Sequence, residues 1–404
     1  MANFRTHIAV NFLNNTLAYA IPVFLLQFLI QPVLASKLGS ELNGFFLTIL
    51  AINYFFVYCT SGILHQTRLL ENEKYKALGL HGDFLRILIV MSVICVSVTL
   101  SAMYLYGHAI VDALDYLLLT IMTLLFLIHD YISVEYRIKL DFKRILTSNI
   151  ILSFGYLLGI AYFCNISQRW QYVFIIAYAF AELYDFIHTK FWKETLSITP
   201  LLKRTTKKYF TLLSASIIVS AVSYGDRIFI YPITDGESVS IITSAELIGK
   251  MLMLISAPLS SFILSYLVKT NFFVIKINFK MIMAIIILCV IIYIICIIIS
   301  HPLLHALYPK WAEKSLGYVP LITITSIINF ISQLYNTYLI RFYSAKWQVV
   351  INAVYFVLYF LLSIVSLINW GLYGFCMGTV CASLMRFILM MYISKLKPAL
   401  ISDK

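Results

Sequence analysis

Charge is what this sequence has least of. Of 404 residues only 12% are Asp, Glu, Lys or Arg, whereas 61% are hydrophobic, and the mean hydropathy is +0.90. A soluble domain keeps roughly a quarter of its residues charged to wet its surface, so a water-soluble fold is excluded. The seven cysteines (Cys59, Cys95, Cys164, Cys289, Cys296, Cys376 and Cys381) include no C-x-x-C pair. They read as small apolar packing residues, not as a disulfide framework or a thiolate metal site. The phosphate-cradling G-x-x-x-x-G-K-[ST] motif is missing too: Gly249–Lys250 has neither the preceding glycine nor the following hydroxyl, which argues against an ATP-driven pump. Large polar loops are absent, so no soluble domain is inserted. The outer loops are expected to hold only Glu41, Asp112, Asp235, Glu237 and Glu313 as acids, too little for the paired catalytic groups of a membrane glycosyltransferase or polymerase. No enzymatic activity and no metal site are expected. The pair His301-x-x-x-His305 reads as a solvated loop pair with no carboxylate partner nearby.

What the sequence has in abundance is long apolar runs. Twelve stretches reach or approach the roughly 20 residues that a bilayer-crossing helix needs: 9–35, 42–64, 87–105, 114–134, 147–164, 172–189, 210–232, 240–267, 281–299, 316–340, 349–368 and 371–394. The last two are parted only by Asn369–Trp370–Gly371 and read as a tight helical hairpin. The first run, Ile8–Ala35, is too long for a signal-peptide core and is expected to stay as the first span. With both termini placed in the cytoplasm, the inner segments hold 23 of the 30 Lys and Arg residues and the outer segments four: Lys37, Arg169, Lys310 and Lys314. This is the positive-inside bias, loop after loop. The formal charge of +12 is thereby a topological signal that needs no nucleic-acid partner, and it favours contact with anionic membrane lipids.

Three cations remain inside predicted helices: Arg227, Lys250 and Arg386. A charge at a helix centre costs roughly 2.5–3.5 kcal/mol, so each needs a partner or water. Glu246 and Lys250 stand one turn apart and can pair, and Asp226 can reach Arg227 or Lys250. Arg227 lies near the outer end of its span and reads either as an interfacial, snorkelling cation or as a functional one. Lys250 lies about ten residues in, roughly 15 Å deep, where snorkelling is hard. Polar stripes accompany these charges. Ser216, Ser220, Ser223 and Arg227 share one face of the seventh span, and Thr243, Glu246 and Lys250 share one of the eighth, with Ser260 and Ser261 further along. Ser326, Asn329, Gln333 and Asn336 form a stripe on the tenth span. The first span carries Asn11, Asn14 and Asn15 near its inner end and Gln27 and Gln31 near its outer end. Lipid does not tolerate such stripes, so they are expected to face a water-accessible interior. A second set of ionisable groups gathers at inner ends: His129, Asp130 and Glu135 on the fourth span, Glu182, Asp185 and His188 on the sixth, and Arg386 on the twelfth. These read either as helix-end caps at the interface or as an inner gate, with Asp130 or Glu182 as a proton site. Arg386 calls for an anionic partner, for which the sixth-span acids are candidates. Pro22, Pro32, Pro258 and Pro320 fall in the striped helices, where kinks would alter access.

The basic segment Lys190–Lys208 divides the chain into an expected N-terminal bundle, 1–196, and a C-terminal bundle, 197–404, of six spans each. The layout, the stretch "QPVLASKLGSELNGFF" between the first two spans and "YGDRIFIYPITDGESVSIITSAELIGKML" across the seventh and eighth resemble the Wzx-type polysaccharide repeat-unit flippases of the multidrug/oligosaccharidyl-lipid/polysaccharide (MOP) exporter superfamily. Asp226, Gly236 and Ala245 match the family pattern in position, but Ser244 stands where many relatives carry an aromatic residue. The resemblance implies an all-α membrane protein, two six-helix bundles in a V shape around a cationic cavity. It also implies a cargo, an undecaprenyl-pyrophosphate-linked oligosaccharide for O-antigen or capsule synthesis, flipped from the inner to the outer leaflet of a bacterial inner membrane. Arg227, Lys250 and Arg386 would attract its pyrophosphate and the Ser, Asn and Gln stripes its hydroxyls. A proton or sodium gradient would drive the cycle through acids such as Asp226 or Glu246, without a cofactor. A polysaccharide polymerase and a chain-length regulator would be its protein partners. The rival readings are a drug/cation antiporter of the same superfamily, expected to have a mainly acidic cavity, and an integral-membrane polymerase or glycosyltransferase.

Overall fold

The structure is a computed structural model that describes residues 2–107, 111–191, 194–270, 279–343 and 345–395. Among them there is no strand; the chain is all α. The first span is α1 (Ala2–Leu25), a π-helical segment π1 (Leu26–Ile30) and α2 (Gln31–Leu38). The second is α3 (Ser40–Val57), π2 (Tyr58–Gly62) and α4 (Ile63–Ala77), which runs on past the expected span end. Then come α5 (Phe84–Gly107), α6 (Ala113–Ile132), the short α7 (Val134–Ile138), α8 (Phe142–Asn165) and α9 (Gln171–His188). The later elements are α10 (Leu202–Ile233), α11 (Gly236–Ala245), α12 (Leu247–Thr270), α13 (Phe279–Leu307), α14 (Ala312–Leu316), α15 (Val319–Phe342) and α16 (Ala345–Ile393). The side chains of Pro258 and Ser261 lie outside the described ones.

A helix stands at each of the twelve expected positions, but not all are equally apolar. Seven described helices are long and apolar enough to cross a membrane, or up to nine if each of two bent pairs counts as one span. One of the seven is the α16 run, which contains non-helical Trp370 and Gly371 (φ 62°). Gly371 takes up the left-handed turn that L side chains resist, and the two arms fold back on each other. A Cβ on Gly378 would come within 2.7 Å of the Leu362 carbonyl. α9 and α15 fall short of the apolarity threshold because they carry the polar groups at issue: Glu182 and Asp185 on the first, Asn329, Gln333 and Asn336 on the second. At the other extreme, α13 shows lipid-type exposure nearly all round, with Ile287, Leu288 and Ile298 more than half exposed.

The chain forms two compact units, one running to Ile228 and the other from Phe229. The dividing point thus falls within α10, later than the 196/197 boundary expected from the basic segment. The reason is local packing. Tyr209 and Leu213 on α10 are buried with Cys59, Ile63, Leu64, Phe84 and Tyr131 of the first unit. The Tyr209 hydroxyl also donates to the Cys59 carbonyl at 2.9 Å. That carbonyl belongs to π2, where the helical ladder slips and frees backbone acceptors. π1 lies between Pro22 and Pro32; Pro32 has no N–H to offer its helical ladder, which supplies a cause for the irregular turn.

α8 and α9 pack closest in the first unit through Gly155-x-x-x-Gly159. A Cβ on Gly155 would lie 2.6 Å from the Ala177 Cα, and one on Gly159 2.6 Å from the Val173 carbonyl. Small residues at this spacing let the two backbones touch. This contact fixes α9, and with it Glu182 and Asp185, against its neighbour.

Candidate transport site

In the first unit, Asp226 and Arg227 sit consecutively toward the C-terminal end of α10. Arg227 Nε lies 3.8 Å from Asp226 Oδ2, and both side chains are largely buried, at 13% and 8% exposure. The Thr48 hydroxyl of α3 donates to the Arg227 carbonyl at 3.5 Å. A file of rings stands nearby: Tyr54 stacks on Phe126 at 5.3 Å and lies 6.4 Å from Tyr224, and Phe126 contacts Tyr178 at 4.1 Å. Gln27 falls within π1 and Gln31 begins α2; both are half-buried, and no hydrogen bond reaches the buried Gln27 Oε1.

The inner-end ionisable groups form two adjoining centres. In the first, Ser61 of π2 donates to Asp130 Oδ2 at 2.8 Å, and His65 Nδ1 lies 3.0 Å from the Asp130 carbonyl. Gly62 leaves room for that carboxylate, since a Cβ there would meet Asp130 Oδ2 at 3.2 Å. In the second, His129 Nδ1 lies 3.3 Å from Asp185 Oδ2 and 3.7 Å from Glu182 Oε1. Asp185 is fully buried, and its two oxygens accept from the Tyr136 hydroxyl at 3.0 Å and the Ser148 hydroxyl at 2.9 Å. These sixth-span acids are the candidate partners that the sequence offers for Arg386. The structure gives them a histidine from α6, and sets Arg386 over the Tyr355 ring at 4.6 Å, so an aromatic face meets the guanidinium.

In the second unit, Glu246 occupies the junction between α11 and α12, where the helix axis bends by 48°. Its Oε2 lies 2.9 Å from Lys250 Nζ, and both side chains are partly exposed, at 20% and 31%. The stripe on α15 is half-buried. Asn329 Oδ1, Ser332 Oγ and Asn336 Oδ1 are buried atoms without a hydrogen-bond partner, and Gln333 stands between them.

Other polar clusters fasten the frame. Ser244, which departs from the resembled pattern, is buried; it accepts from the Trp311 indole at 3.0 Å and shares a hydrogen bond with Ser315 at 2.8 Å. The His301–His305 pair does have a carboxylate beside it, contrary to expectation: Glu313 Oε1 lies 2.9 Å from His305 Nε2. Glu313 sits on α14, which the burial of Trp311 brings back against α13. Asp83 is fully buried and accepts from Tyr75 at 2.6 Å, from the Thr199 backbone at 3.0 Å and from the Thr199 hydroxyl. Glu71, 1% exposed, takes Lys208 at 2.6 Å, while Arg68 pairs with Glu194 at 2.5 Å. These contacts bind residues 194–208 to the first unit. Where α6 begins, Arg169 grips Asp112 at 2.7 Å and Asp115 at 2.6 Å. Hydrogen bonds from Arg169 and from the Asp115 backbone hold the Asp112 carboxyl well below the usual carboxylate range.

No protein-family model matches the chain, and no curated protein matches it. Solved structures do. The chain is similar to the lipid II flippase MurJ in an inward closed conformation, with a TM-score of 0.69, 14% identity, and 98% of this chain and 88% of that one covered. It is similar to a MOP-superfamily transporter from Pyrococcus furiosus, described as having reversed pocket polarity (TM-score 0.61, 12% identity, 96% and 95% covered). It is also similar to the eukaryotic MATE transporter AtDTX14 (0.61, 13%, 97% and 95%). The chain has the fold of the MOP transporters. It is an all-α, multi-pass membrane protein, and the neighbours of its fold are transporters and flippases, not enzymes.

Proposed function

We propose that this protein is a flippase that carries a polyisoprenyl-pyrophosphate-linked oligosaccharide repeat unit from the cytoplasmic to the outer leaflet of a bacterial inner membrane, by alternating access, for O-antigen or capsule synthesis. The observation that carries the reading is the pair of cations kept in apolar helices, one in each unit: Arg227 beside Asp226, and Lys250 beside Glu246. Keeping a lysine near mid-membrane is costly, and a headgroup with several negative charges gives that cost a use. The fold it shares with a lipid II flippase supports a lipid-linked cargo. The hydroxyl and amide stripe of Ser326, Asn329, Gln333 and Asn336 suits sugar hydroxyls, and Gln27 and Gln31 add two more amides. The acids Asp226, Glu246, Asp130, Glu182 and Asp185 are the groups through which a proton or sodium gradient would act, with Arg386 as a gating cation. Both termini are placed in the cytoplasm by the loop charges, and a polysaccharide polymerase and chain-length regulator are the expected partners.

Deleting the gene should trap lipid-linked repeat units in the inner leaflet and strip the surface of the glycan; normal surface glycan after deletion contradicts the reading. A second reading, a MATE-like drug/cation antiporter, draws on the buried acids of the first unit. It requires efflux of cationic dyes, which the flippase reading does not.

A further inference from the structure

His129, Glu182 and Asp185 do more than pair. Their ligand atoms all lie within 4.8 Å of one another. Glu182 is only 2% exposed, yet neither of its oxygens accepts a hydrogen bond, and His129 Nδ1, pointing at both carboxylates, has no hydrogen-bond partner either. Two unsatisfied buried atoms, His129 Nδ1 and Glu182 Oε1, facing each other beside the Asp185 carboxylate are costly, and both would be relieved by a shared cation. The separations identify its kind. Nδ1 to Oε1 is 3.7 Å and Nδ1 to Oδ2 is 3.3 Å, both stretched for a strong hydrogen bond. Two ligands each about 2.0–2.2 Å from one tetrahedral ion stand roughly 3.3–3.6 Å apart, which is close to the spacing found. The outer support is also in place. Tyr136 and Ser148 hold the two oxygens of Asp185, as hydrogen-bonding partners hold a metal-ligating carboxylate.

We propose that His129 Nδ1, Glu182 and Asp185 bind one divalent transition-metal ion of the zinc class at the inner ends of α6 and α9. An imidazole with two carboxylates suits zinc, and a sodium or magnesium ion, which prefers oxygen alone, suits it less. Neither the sequence reading nor the proposed cargo calls for this ion. The sequence hid it because His129 and Glu182 lie on separate spans, 53 residues apart. The site does not depend on the cargo, but a zinc ion there takes Glu182 and Asp185 out of the ion-coupling set and leaves that role to Asp130, Asp226 and Glu246.

The test uses the full chain purified in detergent, in a His301→Ala/His305→Ala background so that the exposed outer histidines contribute nothing. After incubation with zinc chloride and desalting, about one equivalent of zinc should remain, measured by mass spectrometry, in the presence of excess magnesium and sodium. His129→Ala and Glu182→Gln should abolish retention. Ser148→Ala and Tyr136→Phe should weaken it by about 10–100-fold, the usual effect of removing a ligand's outer partner. Zinc X-ray absorption on the parent protein should show a shell of one imidazole among oxygen donors, a readout that does not depend on any of those variants folding. No retained zinc, retention unchanged in both His129→Ala and Glu182→Gln, or a shell with two imidazoles each overturns the proposal. Absence of zinc would leave a proton as the shared cation.

Discussion

The two units bury different kinds of polar group. Among the described residues, the first unit buries six carboxylates (Glu71, Asp83, Glu135, Glu182, Asp185 and Asp226), each below 9% exposure. In the second unit every fully buried polar residue is a serine or threonine, and its acid–base pair, Glu246–Lys250, is left partly exposed. A hydroxyl can satisfy itself against its own helix, as Ser244 and Ser326 do by donating to carbonyls three or four residues back. A carboxylate cannot, and must draw donors from elsewhere. The first unit is therefore tied together by its acids, whereas the second leaves its acid–base pair partly exposed. Stability and cation chemistry should sit mainly in one unit and cargo contact should extend through both.

The contrast can be broken most severely at Asp83. Asp83→Ala strands Tyr75 and Thr199 without their acceptor and should cost about 3–5 kcal/mol, since hydrogen bonds to a buried charge are each worth roughly 1.5–3; a melting curve in detergent would show it. Next is the α8–α9 seam. Gly159→Val drives a side chain into the Val173 backbone and should cost about 1–3 kcal/mol, read the same way. The matching change in the second unit is Ser244→Ala, which leaves the Trp311 indole N–H without its acceptor and should cost about 1 kcal/mol. If Ser244→Ala proved as damaging as Asp83→Ala, the contrast between the units would fail. Lys250→Ala removes the cation beside Glu246 and should lower transport strongly. Unchanged transport would retire Lys250 as a cargo contact. Smallest of all is Arg169→Ala. Asp112 has its folded pKa depressed, so its contribution is present above the ordinary carboxylate pKa of about 3.9 and is lost as pH falls through the depressed value. The slight deficit of Arg169→Ala should thus appear at neutral pH and fade in acid; a deficit that grew in acid would contradict the assignment.

The helical layout was legible because apolar length is a one-dimensional property. It marked α9 and α15 as helices even though polar residues dilute both. The Glu246–Lys250 pair was legible too, being one helical turn apart. What the sequence could not display was distance between spans. Nothing in the residues around His129 shows that α9 delivers Glu182 and Asp185 to it, and nothing around Arg386 announces the ring of Tyr355. The π segments were hidden for another reason: a one-residue slip in a helix leaves the hydrophobic pattern intact, and only π2's freed carbonyls, taken up by Tyr209, betray it. Asp83 carries no signal in the sequence. Its positive φ of 35° and its hydrogen bonds to Tyr75 and Thr199 are tertiary facts.

The most direct measurement is translocation by purified protein in sealed vesicles. A fluorescent saccharide on a polyisoprenyl pyrophosphate would be placed in one leaflet and its arrival in the other followed by quenching. The account predicts movement with the native chain and its near-complete loss in the Arg227→Ala/Lys250→Ala variant while that variant still purifies as a folded, helical protein. Failure to move this lipid while a cationic dye is carried, or movement indifferent to both cations, would contradict it.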